Sequence, residues 1–152
     1  MLSPAHQAYW ADRCLTHYSG PQFRRNIDNP VVMDQPVGSI QTTANPLTNH
    51  QAGDWYPACC EDSRLADRLR WATLGYHHDW DTKQYSENRR DPFPDCLGLL
   101  ARSVLGPLGW PAFTAEAAIV NYYPAGATLS PHTDSSEQNL NHPLLSISLG
   151  AI

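Results

Sequence analysis

Residues 118–134, AIVNYYPAGATLSPHTD, decide how the rest of the chain is interpreted. The first six residues alternate in polarity, which is typical of a strand with one buried face. Pro124-Ala125-Gly126 then predicts a turn. A strand-like pattern resumes over residues 128–134 and again over 144–152. We therefore predict three neighbouring strands of one β core at 118–123, 128–134 and 144–152.

His132 and Asp134 carry the clearest chemical signal in this stretch. Side chains two apart in a strand point to the same face, so this imidazole and carboxylate would converge on the interior of the β core. Such a pair can supply two ligands of the 2-His-1-carboxylate triad that binds iron(II) and leaves coordination positions open. The ordinary alternative is a hydrogen-bonded surface pair, and His77 with Asp79 has the same spacing. Only His132 and Asp134 follow a strand and a tight turn.

Asn121 and Tyr123 also lie two apart, directly before the turn. A carboxamide and a phenol on one face can both hydrogen-bond a small anion or its carbonyl group. Each residue alone has an ordinary explanation, as a strand-ending asparagine or a tyrosine packed in a sheet. That explanation is weaker for Asn121, Tyr123, His132 and Asp134 taken together.

The sequence before this region predicts helices and loops. Ser3 is expected to cap a helix that ends near Gly20, with an apolar face made of Trp10, Cys14, Leu15 and Tyr18. Residues 21–60 have no sustained period and predict a long loop or insertion. The remaining predictions are a short helix over 61–70, a strand over 71–76, a polar loop over 79–95 and a helix over 95–105. Asp95 is expected to cap this last helix, and its inward face would consist of Leu97, Leu100, Ala101 and Val104. Helices followed by a β region indicate an α+β fold.

Composition narrows the possible classes of protein. The 152 residues are 41% hydrophobic and include 13 prolines, which fits one globular domain rich in turns. The formal net charge of −5 argues against nucleic-acid binding through bulk positive charge, although a local basic groove is compatible with it. The cysteines match neither a CxxC zinc site nor a dense disulfide framework, so we expect free thiols. No apolar run is long enough to span a membrane, and no targeting signal is visible.

These motifs together resemble the AlkB family of iron(II)/2-oxoglutarate dioxygenases. The resemblance rests on Asn121-Tyr122-Tyr123, the turn, His132-Thr133-Asp134, Ser136-Glu137 and Ser146-Ile147-Ser148-Leu149-Gly150. The opening helix, residues 69–81 (LRWATLGYHHDWD) and Pro92-Phe93-Pro94 are similar to the eukaryotic AlkB homologue one branch. Nearly the whole chain is covered, and the likeness is weakest over residues 21–60.

The resemblance implies the N-terminal part of a double-stranded β-helix, a jelly-roll-like fold, preceded by helices and a nucleotide-recognition lid. One partial dioxygenase domain would occupy residues 1–152. Its parts would be an N-terminal helix and long loop at 1–60, the lid strand, loop and helix at 61–110, and the start of the β core at 111–152.

The resemblance also implies roles for six residues. His132 and Asp134 would be the catalytic iron ligands, and Asn121 and Tyr123 would bind 2-oxoglutarate. Trp71 and Tyr76 would lie in the lid and stack on the substrate base. Both aromatic residues are equally well explained as part of a core, since aromatic side chains supply much of any core's burial.

Two departures from the family pattern bear on the site. The second residue after the metal aspartate is acidic in some members but is Ser136 here, which fits the homologue-one branch. The third iron ligand, a histidine, and the arginine that pairs with 2-oxoglutarate are expected beyond Ile152. His142 is the only histidine after His132, and its place in a loop beside Pro143 favours exposure to solvent. We therefore expect the chain to be incomplete at its C terminus and inactive by itself.

The implied activity is oxidative demethylation of methylated nucleobases in tRNA or DNA, using iron(II), 2-oxoglutarate and O₂ and releasing formaldehyde. Two alternatives stay open: a catalytically inactive fragment or isoform, and a 2-oxoglutarate dioxygenase that hydroxylates protein side chains. We expect a monomer that contacts nucleic acid and no membrane. Its place would be inside the cell, in the nucleus, cytoplasm or mitochondrion.

Overall fold

The computed structural model of the chain describes residues 2–28, 67–124 and 126–150. The helices and strands in this part are α1 (Pro4–Asp12), β1 (Arg24–Arg25), β2 (Trp71–Gly75), α2 (Asp95–Leu105) and β3 (Ala117–Asn121). A π-helical turn at Arg13–His17 follows α1, and 3₁₀ turns at Asn26–Asp28 and Gly106–Leu108 follow β1 and α2. Helices and a sheet are both present, as the predicted α+β class requires. Most of the predicted loop over 21–60, and residues 61–66 of the predicted short helix, lie outside the described residues.

Helix α1 begins where the sequence predicted. Ser3 is the N-cap, and its hydroxyl accepts a hydrogen bond from the backbone N–H of His6 at 3.3 Å. Pro4 lies in the first turn, where its missing N–H carries no cost. Trp10 and Tyr18 are buried, which confirms the predicted apolar face.

Helix α2 also has the predicted bounds, although its cap differs. We expected Asp95 to cap the helix, but Pro94 is at the N-cap position and makes no side-chain capping bond. Asp95 is instead the first helical residue, where a negative charge is favourable to the helix dipole. Ala101 and Leu105 are buried, so the inward face is close to the one predicted.

The three strands form one sheet in the order β1-β2-β3. The backbone N–H of Tyr122 donates to the carbonyl of Arg70 at 2.8 Å, and the N–H of Tyr76 donates to that of Glu116 at 3.0 Å. Because residue numbers rise along β2 as they fall along β3, these two strands are antiparallel.

Asn26 fixes the start of β2. Its amide nitrogen donates to the carbonyl of Arg68 at 2.8 Å, and its oxygen accepts the backbone N–H groups of Arg70 at 2.7 Å and Trp71 at 3.2 Å. One side chain thus satisfies three backbone groups at the start of the strand.

The chain divides into two compact units. The first contains Met1–Ala72 and Val120–Leu129, and the second contains Thr73–Ile119 and Ser130–Ile152. Each unit has buried apolar residues of its own. They are Trp10, Tyr18, Ile27, Leu69 and Ala72 in the first, and Leu74, Ala101 and Leu105 in the second.

The predicted β core is only partly formed in the described residues. Strand β3 confirms the first of the three predicted strands, but residues 128–134 and 144–150 have no strand structure. No backbone–backbone hydrogen bond joins either segment to another part of the described chain. The period-two pattern shows which side chains can share a face, but a strand also needs a neighbouring backbone to pair with. The prediction is therefore wrong for the second and third strands.

Two smaller predictions concern cysteines and membranes. Cys14 and Cys96 are free thiols, as predicted, whereas Cys59 and Cys60 lie outside the described residues. Within the described ranges, none of the helices has the length and apolarity that crossing a membrane requires.

Candidate metal centre and its aromatic loop

His132 and Asp134 are brought together, but on the surface of the second unit. The Nε2 atom of His132 lies 3.5 Å from the Oδ1 atom of Asp134. Their side chains are 52% and 59% exposed, so the prediction that they face the interior of a β core is wrong. The reason is again the missing strand pairing over residues 128–134. The two side chains still converge, and both remain accessible to a ligand.

A backbone contact determines which nitrogen of His132 is available. Its Nδ1 atom lies 2.9 Å from the carbonyl oxygen of Ser130. Because a carbonyl oxygen can only accept, Nδ1 carries the proton in this hydrogen bond, and Nε2 keeps its lone pair in the neutral imidazole. Metal-bound histidines commonly have their second nitrogen fixed in this way. The nitrogen left free is the one that faces Asp134.

The donor chemistry therefore fits two of the three ligands of an iron(II) site, one imidazole nitrogen and one carboxylate. Among the described residues, no group of three His, Cys, Asp or Glu side chains could hold a metal ion. His142 is exposed, as predicted, and its ring packs against Trp110 with centroids 5.4 Å apart. It lines a groove of about 190 Å³ together with Asp134 and Glu137.

An aromatic cluster lies on the loop that follows β2, in the same unit. The ring of His78 contacts Trp80 and Tyr85 edge to face, with centroids 4.5 Å and 5.2 Å away. His78 is 8% exposed, whereas Trp80 is 47% exposed. An exposed large aromatic ring on a loop, packed against a buried neighbour, is typical of a binding residue.

Electrostatics connect this cluster to the histidine–aspartate pair. Burial raises the pKa of the Tyr85 hydroxyl, and the negative charges of Glu137 and Asp134 raise it further. One oxygen of Glu137 is buried and has no hydrogen-bond partner in the described part of the chain. The half-buried Tyr85 therefore stays protonated at neutral pH and can donate a hydrogen bond.

The turn that carries Trp80 is held by Asp79. Its carboxylate accepts the backbone N–H groups of Asp81 and Thr82, both at 3.0 Å, and pairs with the guanidinium of Arg89. The hydrogen bond from the Thr82 backbone lowers the pKa of Asp79. The pair formed by His77 and Asp79, left open by the sequence, is therefore not a converging metal pair, because Asp79 is used by its own turn.

Asn121 and Tyr123 lie in the first unit, at the end of β3 and just after it. Both are exposed, with Tyr123 at 56%. Between them, Tyr122 is half-buried, and its hydroxyl donates to the carbonyl of Cys14 at 2.7 Å. The alternation of exposure agrees with a shared face for Asn121 and Tyr123. Their predicted role in binding 2-oxoglutarate stays a prediction.

Trp71 and Tyr76, the two predicted base-stacking residues, lie at opposite ends of β2. Trp71 is half-buried in the first unit. In the second unit, the hydroxyl of Tyr76 donates to Glu87 at 2.8 Å, and this bond raises the pKa of Tyr76. The guanidinium carbon of Arg90 lies 4.7 Å above the Tyr76 ring. One face of Tyr76 is therefore covered, and its role as a stacking surface stays a prediction.

The sequence interpretation missed Trp80 and Tyr85. A signal was present, because large aromatic residues in a stretch of Asp, Thr, Lys, Gln and Ser have no obvious core to enter. Periodicity gave no help, since the stretch is a turn held by side-chain hydrogen bonds and not a regular element.

The sequence model of the 2OG-Fe(II) oxygenase superfamily matches residues 1–152. The chain belongs to this superfamily, whose members share the double-stranded β-helix fold and depend on iron(II), 2-oxoglutarate and O₂.

Curated relatives confirm the resemblance to the AlkB family. The nucleic acid dioxygenase ALKBH1 of Mus musculus is 37% identical over 147 residues, which cover 97% of this chain and 36% of that protein. The tRNA demethylase abh1 of Schizosaccharomyces pombe is 45% identical over 94 residues, which cover 59% of this chain and 30% of that protein. The alpha-ketoglutarate-dependent dioxygenase AlkB of Escherichia coli is 45% identical over 83 residues, which cover 54% of this chain and 38% of that protein. The chain thus spans about a third of the length of these relatives.

Proposed function

We propose that the protein is an iron(II)/2-oxoglutarate dioxygenase that removes methyl groups from nucleobases in tRNA or DNA. The observation that carries this proposal is the convergence of His132 Nε2 and Asp134 Oδ1, 3.5 Å apart, on the surface of the unit that also contains Trp80 and Tyr85. The pair supplies metal donors, and the loop supplies an aromatic surface for a base. The names of the relatives, a nucleic acid dioxygenase and a tRNA demethylase, support the same substrate class.

His132 and Asp134 would hold the iron. When bound with 2-oxoglutarate, the metal supplies the activation of O₂ for hydroxylation of a methyl group. The protein's own contribution is to fix the donors: the Ser130 carbonyl keeps the proton of His132 on Nδ1, so Nε2 can coordinate. Asn121 and Tyr123 would contact the 2-oxoglutarate through their amide and hydroxyl groups.

Trp80 and Tyr85 would orient the methylated base. Base–aromatic stacking is worth about 1–3 kcal/mol and tolerates any sequence, because every base has a π face. This suits a protein of net charge −5, which does not rely on bulk positive charge to hold nucleic acid. The Tyr85 hydroxyl, kept protonated by burial and by Glu137, would donate a hydrogen bond to the base.

The remaining parts of the proposal concern organisation. We assign residues 1–152 to one partial double-stranded β-helix domain, with the nucleotide-recognition lid within 61–110 and the start of the β core at 111–152. The protein would act as a monomer inside the cell, in the nucleus, cytoplasm or mitochondrion.

Formaldehyde release from methylated nucleic acid tests the proposal directly. The full-length gene product, given iron(II) and 2-oxoglutarate, is compared on methylated tRNA, methylated single-stranded DNA and unmodified peptides. We expect formaldehyde from a nucleic acid and loss of that signal in His132→Ala. Turnover with peptides alone would replace the proposal with the protein-hydroxylating alternative. Iron binding without turnover of any of these substrates would favour the alternative of a catalytically inactive fragment or isoform.

A further inference from the structure

His77 lies where the two ends of the aromatic loop meet. Residues 78–91 form this loop, and Trp80 and Tyr85 project from it. We propose that His77 is a positioning residue that holds the loop in the shape needed to present these two side chains to a base. The inference rests on the proposed function, because it assigns a role within the same substrate site.

Both ring nitrogens of His77 are used inside the second unit. Nδ1 lies 2.7 Å from the hydroxyl of Thr73 on strand β2, and Nε2 lies 2.8 Å from the Oδ2 atom of Asp91 at the far end of the loop. His77 is 6% exposed and Thr73 is 1% exposed. The imidazole therefore bridges the strand that enters the loop and the segment that leaves it.

The chemistry of the partners fixes the direction of these bonds. An ionised carboxylate can only accept, so Nε2 donates to Asp91, and in the neutral imidazole Nδ1 accepts the proton of the Thr73 hydroxyl. Because both nitrogens are engaged in a buried position, His77 has no free atom for a substrate or a metal. A role in positioning follows, and a role in direct catalysis does not.

Backbone hydrogen bonds bring together the same two segments. The N–H of His77 donates to the carbonyl of Arg89 at 2.9 Å, and the N–H of Asp91 donates to the carbonyl of Gly75 at 3.0 Å. Tyr76 and Arg90 lie opposite each other as an isolated antiparallel bridge. The side-chain bridge thus lies against a short backbone ladder, and each holds the other in place.

The loop's aromatic residues are directly coupled to this bridge. His78, the residue after His77, is the one whose ring contacts both Trp80 and Tyr85. A change in the backbone at His77 would therefore move the ring against which both side chains rest. In a close-packed interior such shifts are transmitted to neighbours and are not absorbed.

Paired variants at Thr73 and Asp91 isolate the bridge. Thr73→Val keeps the shape but removes the hydroxyl, whereas Thr73→Ser keeps the hydroxyl. Asp91→Ala removes the acceptor, whereas Asp91→Asn keeps an acceptor oxygen. Each of these variants leaves a ring nitrogen of the buried His77 without its partner, which costs more than the bond itself contributes, so the effect of Val or Ala should be measurable. The conservative variants Thr73→Ser and Asp91→Asn should have loop exchange rates and KM values close to those of the original protein.

Hydrogen exchange gives a readout that does not depend on activity. In Thr73→Val and Asp91→Ala we expect amides of residues 79–90 to exchange roughly tenfold faster. Amides in the middle of α2 serve as the internal control and should be unchanged. Unchanged exchange in the loop, or equal acceleration throughout the second unit, would overturn the positioning role.

Substrate kinetics complete the test on the full-length gene product. Thr73→Val and Asp91→Ala should raise KM for a methylated oligonucleotide by about tenfold with kcat largely retained, and Ser and Asn should rescue it. Faster loop exchange without any change in KM would overturn the link to substrate binding. If the original protein acts on no methylated nucleic acid, the proposed function fails, and the exchange result still decides whether His77 holds the loop.

Discussion

Gly75 faces the backbone carbonyl of Glu116 so closely that a β-carbon at this position would overlap the carbonyl oxygen. Gly75 also has a φ of +71°, in the left-handed region that favours glycine. This is the point where β2 ends, one residue before the bond from Tyr76 to Glu116 closes the ladder. The close approach of two backbones sets the start of the segment that leads to His77 and the aromatic loop.

We therefore expect Gly75→Ala to destabilise the protein by roughly 2–5 kcal/mol, since it adds left-handed strain to a steric overlap. Gly98→Ala in α2 is the matched control. Its β-carbon would meet nothing nearer than Phe93 at 3.9 Å, and alanine favours a helix over glycine by about 0.5–1 kcal/mol. Urea denaturation of both variants gives the comparison. Equal stability of Gly75→Ala and the original protein would contradict the packing described here.

The sequence predicted regular elements well where local signals agreed. The cap at Ser3, the bounds of α2 and the strand at Trp71–Gly75 follow from residues within a few positions of each element. Residues 128–134 and 144–150 carried an equally clear alternation but form no strand in the described chain. Alternation is a local property, whereas strand pairing depends on a partner elsewhere, so the sequence could not decide it.

The candidate site shows the same division. The spacing of His132 and Asp134 correctly predicted that their side chains converge, because that needs only an extended backbone. Their exposure could not be predicted, since it depends on what packs around them. The proposed contribution of Trp80 and Tyr85 to the site depends on a turn that Asp79 stabilises. Hydrophobic periodicity does not predict such a turn.

Removal of either candidate ligand should abolish metal binding. We expect His132→Ala and Asp134→Ala to weaken iron(II) or cobalt(II) binding by well over about 100-fold, because loss of a residue that only orients a metal ligand already costs about 10–100-fold. In the full-length gene product, the uncoupled turnover of 2-oxoglutarate without nucleic acid should disappear as well. His142→Ala, a histidine in the same unit, is the control and should bind metal normally. Titration followed by cobalt absorbance measures all three variants.

The opposite pattern would be decisive against these ligands. If His142→Ala lost metal binding while His132→Ala retained it, the site would be built from the groove that His142 shares with Asp134 and Glu137.

The turn at residues 79–84 should be sensitive to acid in a defined direction. Hydrogen bonds from the backbone of Thr82 and Asp81, with the charge of Arg89, lower the pKa of Asp79. A carboxyl group whose pKa in the folded protein is lower than its pKa of about 3.9 in the unfolded chain stabilises the fold fully above the unfolded pKa. This stability is lost as the pH falls through the folded pKa. The NMR chemical shifts of the Thr82 and Lys83 backbone amides should therefore stay unchanged between about pH 4 and 5, which lies above the unfolded pKa of about 3.9. They should change only in stronger acid.

Asp79→Asn is the control for this titration. The asparagine oxygen still accepts both backbone bonds but cannot ionise, so the amide shifts should lose their dependence on pH. A transition centred at or above about pH 3.9 in the original protein would contradict the prediction.

The final prediction separates substrate stacking from core packing among the tryptophans. Trp80 is 47% exposed on the aromatic loop, and Trp71 is half-buried at the start of β2. Trp80→Ala should weaken binding of a methylated oligonucleotide by about 1–3 kcal/mol and leave the melting temperature nearly unchanged. If Trp71 is a core residue, Trp71→Ala should cost roughly 3–5 kcal/mol of stability and depress turnover with and without nucleic acid together. If Trp71 stacks on the base, only the reaction with nucleic acid should fall. Thermal melts, fluorescence anisotropy and succinate formed with and without substrate distinguish these results. A Trp80→Ala variant that binds the oligonucleotide normally would remove the aromatic loop from the site.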